Sequence, residues 1–284
     1  MMNESHAGTE KAKGWKKQIK RMLVRRFDAA LVGGKPHKEH FSAFGIPPDK
    51  IFTGYDAISN RTFSSGATEA KENAKNRRAE LKLPPRYFLS LGRMVRKKNL
   101  QTLVSAYALF CQSTEAPVAL CFVGSGETES ALQSQAQSLG LRVHEGESLD
   151  EQTRLELGSG DVCFYGFRQI SENPFFYGLA EAFILPSTKE EWGLVVNEAM
   201  ASGLPVLVAN GVGCAMDLVD HEVNGYLFNP MDAETLSGFL VDIATNTEKR
   251  AAMGKASERI IADWDVDNFA RNAIKAVNAA RAEA

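Results

Sequence analysis

Two glutamates in the segment 189–201 have a type and spacing that suit a ligand site. Glu190 and Glu198 are eight positions apart and bracket the predicted start of a helix, so both side chains can point into one crevice. An ionised carboxylate accepts hydrogen bonds from neighbouring sugar hydroxyls, and such charge-assisted bonds are the stronger kind. The free amides at the same helix start suit a phosphate oxygen. The segment therefore predicts a site for a sugar beside an anionic group.

Alternating strands and helices must position this segment. From residue 86 onward, short apolar runs alternate with segments of helical period, which is typical of an α/β fold with a parallel sheet covered on both faces. The runs span 87–91, 118–123, 162–165, 182–185, 205–209 and 225–228, and the predicted helices span about 99–112, 127–139, 172–181, 193–202 and 232–245. We predict one doubly wound domain.

The residues that end these runs are the candidates for binding, because ligands of doubly wound sheets lie beyond the carboxyl ends of the strands. Four of the five ends contain glycine, where a backbone can approach a ligand closely. The ends are Gly92-Arg93, Gly124-Ser125-Gly126, Gly166-Phe167, Pro186-Ser187 and Asn210-Gly211. We expect a ligand crevice along this edge of the sheet.

The composition excludes several classes of protein. With 284 residues, 44% hydrophobic and 24% charged, the chain is expected to be globular, and its net charge of −2 argues against a protein held on nucleic acid. The four cysteines form no CxxC pair, so buried thiols are expected. Residues 1–15 lack the apolar core of a signal peptide, and no stretch approaches the roughly 18 apolar residues of a membrane span. A cytoplasmic location is the expectation.

The N-terminal part has a different pattern. Residues 10–28 predict a helix rich in lysine and arginine, followed by one short strand at 29–32 and a helix near 36–44. Residues 46–62 contain two prolines and turn formers and look like a connection, and residues 63–80 predict a helix that leads into the next domain. One strand and two helices do not make a domain, so a fragment followed by a hinge is the simplest interpretation.

Two interpretations of the basic helix stay open. Its cationic residues within 11–26, with Trp15, Met22, Leu23 and Phe27 on an apolar side, suit peripheral contact with anionic lipid. Alternatively, the apolar residues pack on sheet strands outside this chain while the charges face water. The second interpretation is favoured, partly because the helix leads straight into a strand.

The segment 187–201 resembles the donor-site signature of retaining GT-B glycosyltransferases, usually grouped as family 4 or group 1. The shared features are the Glu-x7-Glu spacing and the inner sequence Trp-Gly-Leu-Val. The resemblance extends over roughly 200 residues, from 87 to about 284, and includes the segments 91–99, 122–127, 164–167, 201–206, 211–213 and 223–228. Their order and spacing together make the match specific. It implies a GT-B fold with one complete Rossmann-like domain and a remnant of a second.

The resemblance also implies catalytic roles for three side chains. Arg93 and Lys98 would hold the donor diphosphate and stabilise the charge that develops on the leaving group, because charge stabilisation is usually the largest catalytic term. Glu190 would contact the donor sugar near the reacting centre. No metal or other cofactor is expected, since two cations and the helix amides can do this work.

Further residues would bind the donor by the same resemblance. Glu198 would bind the ribose hydroxyls, and Gly193 and Leu194 would present backbone amides. The turn Gly166-Phe167 would border the base. The full set of expected donor-binding residues is Gly92, Gly124, Gly166, Phe167, Gly193, Leu194 and Glu198.

These residues also have ordinary structural interpretations. A lone arginine or lysine after a strand is usually a solvated charge, and a lone glutamate at a helix start is often a partner of the helix dipole. Glu191 competes with Glu190, but only Glu190 has the required spacing, and Trp192 suits a core position. The five histidines form no metal-like grouping, and none is given a catalytic role. The functional interpretation is favoured because these residues fall at successive strand ends.

The resemblance predicts the organisation of the chain. Residues 1–62 would be a remnant of the acceptor-binding domain with its hinge, 63–85 a linker helix, 86–265 the nucleotide-sugar donor domain and 266–284 a C-terminal helix. A complete family member has an N-terminal domain of very roughly 150 residues or more, so most of that domain is expected to be missing. The last helix, near Trp264, is expected to cross back onto the first domain.

Three functions are compatible with the sequence. The preferred one is transfer of a sugar from a nucleotide-diphosphate sugar to an unidentified acceptor with retention at the anomeric carbon, in glycan or polysaccharide synthesis, in the cytoplasm or at the inner face of the membrane. The second is a non-catalytic donor-binding module that needs a separate acceptor domain. The third is an epimerase or phosphorylase, which would need an acid/base pair or a pyridoxal phosphate lysine that the sequence does not reveal.

Overall fold

The computed structural model describes residues 1–10 and 13–281, and these residues form two parallel sheets. The smaller sheet has three strands in the order β1-β2-β3. The strands are β1 (Met2–Asn3), β2 (Ala30–Val32) and β3 (Ile51–Phe52), and the helices between them are α1 (Trp15–Val24) and α2 (Lys35–Phe44). Val24, Phe41 and Phe44 pack with the strands in a small separate core.

The smaller sheet corrects the expectation of a single N-terminal strand. Both Met2–Asn3 and Ile51–Phe52 pair in parallel with Ala30–Val32. A strand of two residues is too short to show an alternation of apolar and polar residues, so hydrophobic periodicity does not reveal β1 or β3. The basic helix is also shorter than the predicted 10–28, because it begins at Trp15 and ends at Val24. Lys11 lies outside the described residues.

The connection between the sheets is helical. It consists of α3 (Asn60–Glu72) and α4 (Ala74–Glu80). The side chain of Ser59 accepts a hydrogen bond from the Thr62 amide and so caps α3, which begins before the predicted boundary at residue 63. The bounds differ from the predicted single helix over 63–85, because the structure has two helices here and the second ends at Glu80.

The larger sheet confirms the predicted α/β class and the parallel arrangement. Its seven strands are β4 (Tyr87–Leu91), β5 (Ala119–Val123), β6 (Arg142–Glu145), β7 (Asp161–Phe164), β8 (Ala182–Leu185), β9 (Val206–Ala209) and β10 (Gly225–Phe228). The order is β10-β9-β8-β4-β5-β7-β6, and every neighbouring pair is parallel. The sequence missed β6, because this edge strand reads Arg-Val-His-Glu and none of its residues is buried.

Nine helices follow the strands of the larger sheet within the described residues. They are α5 (Leu100–Ser113), α6 (Glu129–Ser138), α7 (Glu151–Glu156), α8 (Asn173–Leu179), α9 (Leu194–Ala201), α10 (Ala215–Leu218), α11 (Ala233–Thr245), α12 (Thr247–Ile261) and α13 (Val266–Arg281). In the part of the chain that the structure describes, no helix is both long and apolar enough to cross a bilayer. All four cysteines are unpaired.

The strand order places the ligand crevice beside β4. From β4 the chain proceeds to β5 and the edge strands on one side, and it later returns to build β8, β9 and β10 on the other. Open parallel sheets bind ligands outside the carboxyl ends of the strands at such a reversal. A ligand is therefore expected to contact the loops after β4, β5, β7 and β8.

The last helix joins the two sheets, in agreement with the expected crossing. Asn272 on α13 donates a hydrogen bond to the Thr53 carbonyl at 2.9 Å, just beyond β3. The ring of Phe269 lies 6.2 Å from the ring of Tyr55. Next to this helix, Trp264 stacks at an angle on Trp192, with 5.0 Å between the ring centroids. The C-terminal segment thus fastens the smaller sheet to the larger domain.

Candidate active site

Three of the predicted glycines meet at the carboxyl ends of β4, β5 and β7. The Gly124 amide donates to the Gly166 carbonyl at 2.6 Å, and the Gly92 amide donates to the Val123 carbonyl at 2.8 Å. Gly124 has φ +123°, and a Cβ atom there would lie 2.1 Å from the Gly92 oxygen. Only glycine fits this close approach of two strand ends.

A cavity of about 340 Å³ opens above these glycines. Gly92, Arg93, Gly124 and Phe167 line it, and the Phe167 side chain, 69% exposed, stands at its edge beside Ile170. The guanidinium of Arg93 is exposed and makes no hydrogen bond or ion pair with any described residue. The structure thus brings four of the predicted residues to one concave surface with an unneutralised cation.

A second cluster surrounds Glu190 in the loop 186–193 between β8 and α9, hereafter the Glu190 loop. Lys98 Nζ lies 2.7 Å from Glu190 Oε1, and Lys97 Nζ lies 3.0 Å from Oε2. The Ser187 hydroxyl donates to Oε1 at 3.1 Å. Burial raises the pKa of Glu190, but the two lysines outweigh it and bring the pKa below its ordinary value. Glu190 is therefore an ionised, oriented carboxylate.

The same cluster distinguishes Glu190 from its neighbour. The Glu191 carboxylate is nearly half exposed, and its ion pair with Lys97 is longer, at 3.4 Å. The Glu190 side chain is only 9% exposed and has three polar partners. These contacts favour Glu190 as the functional carboxylate.

The start of α9 supports this loop. Gly193 has φ +107°, and a Cβ atom there would lie 3.1 Å from Val212 Cγ1 and 3.3 Å from Leu185 Cδ2. Leu194, the first residue of the helix, is 40% exposed. The first amides of a helix have no partners within it, so this end offers donors to an anion in the crevice.

Glu198 lies one turn inside α9 in a different environment from Glu190. It is 8% exposed, and its Oε2 accepts a hydrogen bond of 2.9 Å from the Tyr177 hydroxyl on α8. Burial raises its pKa to about 7, against a smaller opposing effect of the Tyr177 hydrogen bond. Glu190 and Glu198 both lie outside the cavity above the strand-end glycines. The structure therefore does not place the two carboxylates in this cavity, and their environments shift their pKa values in opposite directions.

The sequence missed Lys97, Ser187 and Tyr177 as partners of these carboxylates. Lys97 stands beside Lys98 in a run of three basic residues, which did not reveal which lysine meets Glu190. Tyr177 sits in an apolar helix, where a tyrosine most often serves the core. Trp192 is buried as expected, and its Nε1 donates to Asn197 Oδ1 at 2.9 Å. Across the described residues, no group of three or more His, Cys, Asp or Glu side chains could hold a metal ion.

Comparison with known proteins identifies the family. The family model described as "Glycosyl transferases group 1" matches residues 72–146 and 144–260. The Arabidopsis thaliana sulfoquinovosyl transferase SQD2 is 36% identical over 258 residues, which are 87% of this chain and 44% of that protein. An uncharacterised glycosyltransferase of Methanocaldococcus jannaschii is 25% identical over 238 residues, which are 84% of this chain and 56% of that protein. The chain spans about half the length of these relatives.

Solved structures agree with this assignment at the level of the fold. The crystal structure of Anabaena HepE in complex with UDP has a TM-score of 0.74 at 20% identity, and the match covers 98% of this chain and 71% of that one. Sucrose-phosphate synthase from Thermosynechococcus elongatus has a TM-score of 0.72 at 20% identity, with 96% and 63% of the two chains covered. The fold is that of GT-B glycosyltransferases, and the chain belongs to the group 1 glycosyltransferase family.

Proposed function

We propose that this chain binds a nucleotide-diphosphate sugar and serves the transfer of its sugar to an acceptor in glycan or polysaccharide synthesis, with retention of the anomeric configuration. One observation carries the proposal. The unpaired Arg93 and the Lys98–Glu190 ion pair of 2.7 Å lie beside the glycines that end β4 and β5. A cationic site next to an ionised carboxylate suits a diphosphate joined to a sugar.

The proposed chemistry assigns the cations to the leaving group. When the glycosidic bond breaks, negative charge grows on the diphosphate, and Arg93, Lys98 and the first amides of α9 would stabilise it. Lys98 would leave Glu190 for the phosphate, while Lys97 keeps the carboxylate ionised. Glu190 would then accept hydrogen bonds from sugar hydroxyls. We propose that this mechanism operates without a divalent metal.

The rest of the donor would lie along the strand-end cavity. The exposed Phe167 ring offers a surface for a base, and Gly166 has no atom within 4 Å of the position that a Cβ would occupy, which leaves room beside it. Glu198 would accept hydrogen bonds from ribose with the oxygen that Tyr177 leaves free. The complexes of the Anabaena neighbour with UDP and UDP-glucose make UDP the first nucleotide to test.

Calorimetric titration with UDP, GDP and ADP tests the donor site. We expect one nucleotide to bind, and we expect Arg93→Ala to weaken its binding by at least about tenfold, because a charge-assisted hydrogen bond contributes roughly 1.5–3 kcal/mol. Arg96→Ala is the matched control, because Arg96 is an exposed arginine outside the cavity. Addition of EDTA should leave the affinity unchanged. Equal loss in both variants, or binding unaffected by either, would refute the site.

A second candidate function is donor binding without turnover, in a module that depends on a separate acceptor domain. Its basis is that the described part of the smaller sheet has three strands with seven residues in total, which is a small surface for an acceptor. An acceptor cleft that excludes water is part of how transfer is favoured over hydrolysis. Sugar transfer by the purified chain to any acceptor would exclude this alternative, and binding without transfer or hydrolysis would support it.

As the alternative to packing on strands outside this chain, we propose that α1 contacts anionic lipid at the inner face of a membrane. Trp15, Met22 and Leu23 are more than half exposed, and α1 also contains three lysines and one arginine. This combination suits the boundary between headgroups and acyl chains. Sedimentation with phosphatidylcholine vesicles, with and without phosphatidylserine, tests it. Trp15→Ser should reduce binding to the anionic vesicles, whereas Ile274→Ser, at an exposed position on α13, should not.

A further inference from the structure

Two histidines of the smaller sheet contact the backbone of the Glu190 loop. His6 follows β1, and its Nε2 lies 3.0 Å from the Glu190 carbonyl oxygen. His37 lies in the first turn of α2, and its Nε2 lies 2.9 Å from the Glu191 carbonyl oxygen. The rings are 5.0 Å apart in an edge-to-face arrangement, and both side chains are buried. Two consecutive backbone carbonyls of the larger domain are thus each contacted by one histidine ring.

The hydrogen-bond network assigns the same tautomer to both rings. The Gly8 amide donates to His6 Nδ1 at 3.2 Å, and the Gly34 amide donates to His37 Nδ1 at 3.1 Å. A ring nitrogen that accepts an N–H carries no proton, so the proton of each neutral ring lies on Nε2. Each Nε2–H therefore donates to a loop carbonyl. Burial also lowers the pKa of His37 to about 4, which keeps this ring neutral.

The loop is held from its other side by the turn after β9. The Gly213 amide donates to the Glu190 carbonyl at 3.2 Å, and the Cys214 amide donates to the Trp192 carbonyl at 3.1 Å. A Cβ atom on Gly213 would lie 1.8 Å from the Glu191 oxygen, so this turn and the loop are in close contact. The Glu190 carbonyl therefore has two donors, one from each sheet.

The helix that carries His37 is itself anchored to the larger domain. The Lys35 amide at the start of α2 donates to both carboxylate oxygens of Asp217 on α10, at 3.1 and 3.0 Å. The His37 ring also lies 5.7 Å from the ring of Trp192, which belongs to the Glu190 loop. The donor nitrogen of His37 therefore has a defined position relative to the loop.

We propose that His6 and His37 are positioning residues that hold the Glu190 loop and thereby orient the Glu190 carboxylate toward the donor sugar. This inference rests on the proposed function for the role of Glu190. The two histidines would thus support the donor site from the side of the smaller sheet without touching any reacting atom. Loss of either donor should disturb the sugar end of the site more than the nucleotide end, because neither histidine lines the cavity that contains Arg93 and Phe167.

Hydrogen exchange of the free protein tests the contact without any ligand. In His6→Phe and His37→Phe, which keep a ring and remove the donor, we expect the Gly213 and Cys214 amides to exchange about tenfold faster, the equivalent of one lost hydrogen bond. His6→Gln and His37→Gln retain a donor near the Nε2 position and should restore most of the protection. His221→Phe, beside β10, is the matched control. Unchanged exchange in both phenylalanine variants would overturn the proposal.

Titration with UDP and UDP-glucose tests the consequence for the site. The phenylalanine variants should bind UDP within about twofold of the original chain. Their gain in affinity from UDP to UDP-glucose should be about tenfold smaller than that of the original chain, and Glu190→Gln should show the same loss. The glutamine variants should recover it. Equal weakening of UDP and UDP-glucose would overturn the positioning role. If neither ligand binds while exchange responds as expected, the contact stands and the proposed function fails.

Discussion

At the scale of single residues, Glu190 and Glu198 show how environment separates two identical side chains. Glu190 keeps its charge because Lys97 and Lys98 compensate for its burial. Among the described residues, the Glu198 carboxylate has one hydrogen-bond partner, the Tyr177 hydroxyl, and burial raises its pKa to about 7. Ionised carboxylates accept the stronger hydrogen bonds from sugar hydroxyls, so Glu190 suits this role near neutral pH, whereas Glu198 changes protonation state near pH 7.

Glu198→Gln should make the protein more stable at high pH. The folded-state pKa of Glu198 is about 7 against an ordinary 4.5, so the fold favours the protonated form and loses stability as pH rises between these values. At roughly 1.4 kcal/mol per pKa unit, the cost reaches at most about 3.5 kcal/mol above pH 7. Urea unfolding should show the variant more stable at pH 8 and nearly equal to the original chain at pH 4.5. Equal stability at both pH values would contradict the assigned environment.

At the scale of elements, the close approach of β4 and β5 at their carboxyl ends shapes the floor of the cavity. Gly124 allows this approach for two reasons. Its φ of +123° disfavours other residues, and it has no side chain that would meet the Gly92 carbonyl. The strand ends can therefore approach a ligand without a side chain at residue 124 standing between them and the ligand. A bulkier residue would push them apart.

Gly124→Ala should destabilise the protein by about 2–4 kcal/mol, because the added methyl meets backbone and the φ value disfavours other residues. Nucleotide affinity should fall with it. Gly238→Ala on α11 is the control, since nothing lies within 4 Å of its Cβ position, and there the substitution should stabilise by up to about 1 kcal/mol. Thermal unfolding of both variants measures this. Similar shifts in both would show that the strand ends are not tightly packed.

The sequence predicted elements well where they are long and apolar. All six apolar runs after residue 86 are strands of the larger sheet, because buried parallel strands need continuous hydrophobic residues. The edge strand β6 and the two-residue strands β1 and β3 carry no such signal. In the site, glycines at strand ends were predictable, whereas the lysine partners of Glu190 and the burial of Glu198 depend on contacts between distant segments.

At the scale of the whole molecule, the smaller sheet depends on the larger domain. Its own core contains seven buried hydrophobic residues, too few for a stable unit. The contacts that tie it down include Asn272 with Thr53, Asp217 with Lys35 and the two histidines with the Glu190 loop. These contacts are mostly hydrogen bonds, each of which contributes only about 1 kcal/mol to stability.

Native-state hydrogen exchange should therefore show that the two sheets open with different free energies. The amide of Leu31 in β2 should exchange through a local opening of lower free energy than that of Cys121 in β5, by at least about 2 kcal/mol. Asp217→Asn should increase the difference, because it weakens the anchor of α2. A single opening free energy for both strands would show that the two sheets unfold as one unit.

With a pKa of about 7, Glu198 would link the proposed nucleotide binding to the release or uptake of a proton. If ribose binds the ionised form, each molecule that binds near pH 7 displaces part of a proton from the buried carboxyl. The heat of binding would then differ between buffers of different ionisation enthalpy, and affinity would rise from pH 6 to pH 8. In Glu198→Gln both dependences should disappear. The cell's own pH would thus be one of the variables that set how much donor the site holds.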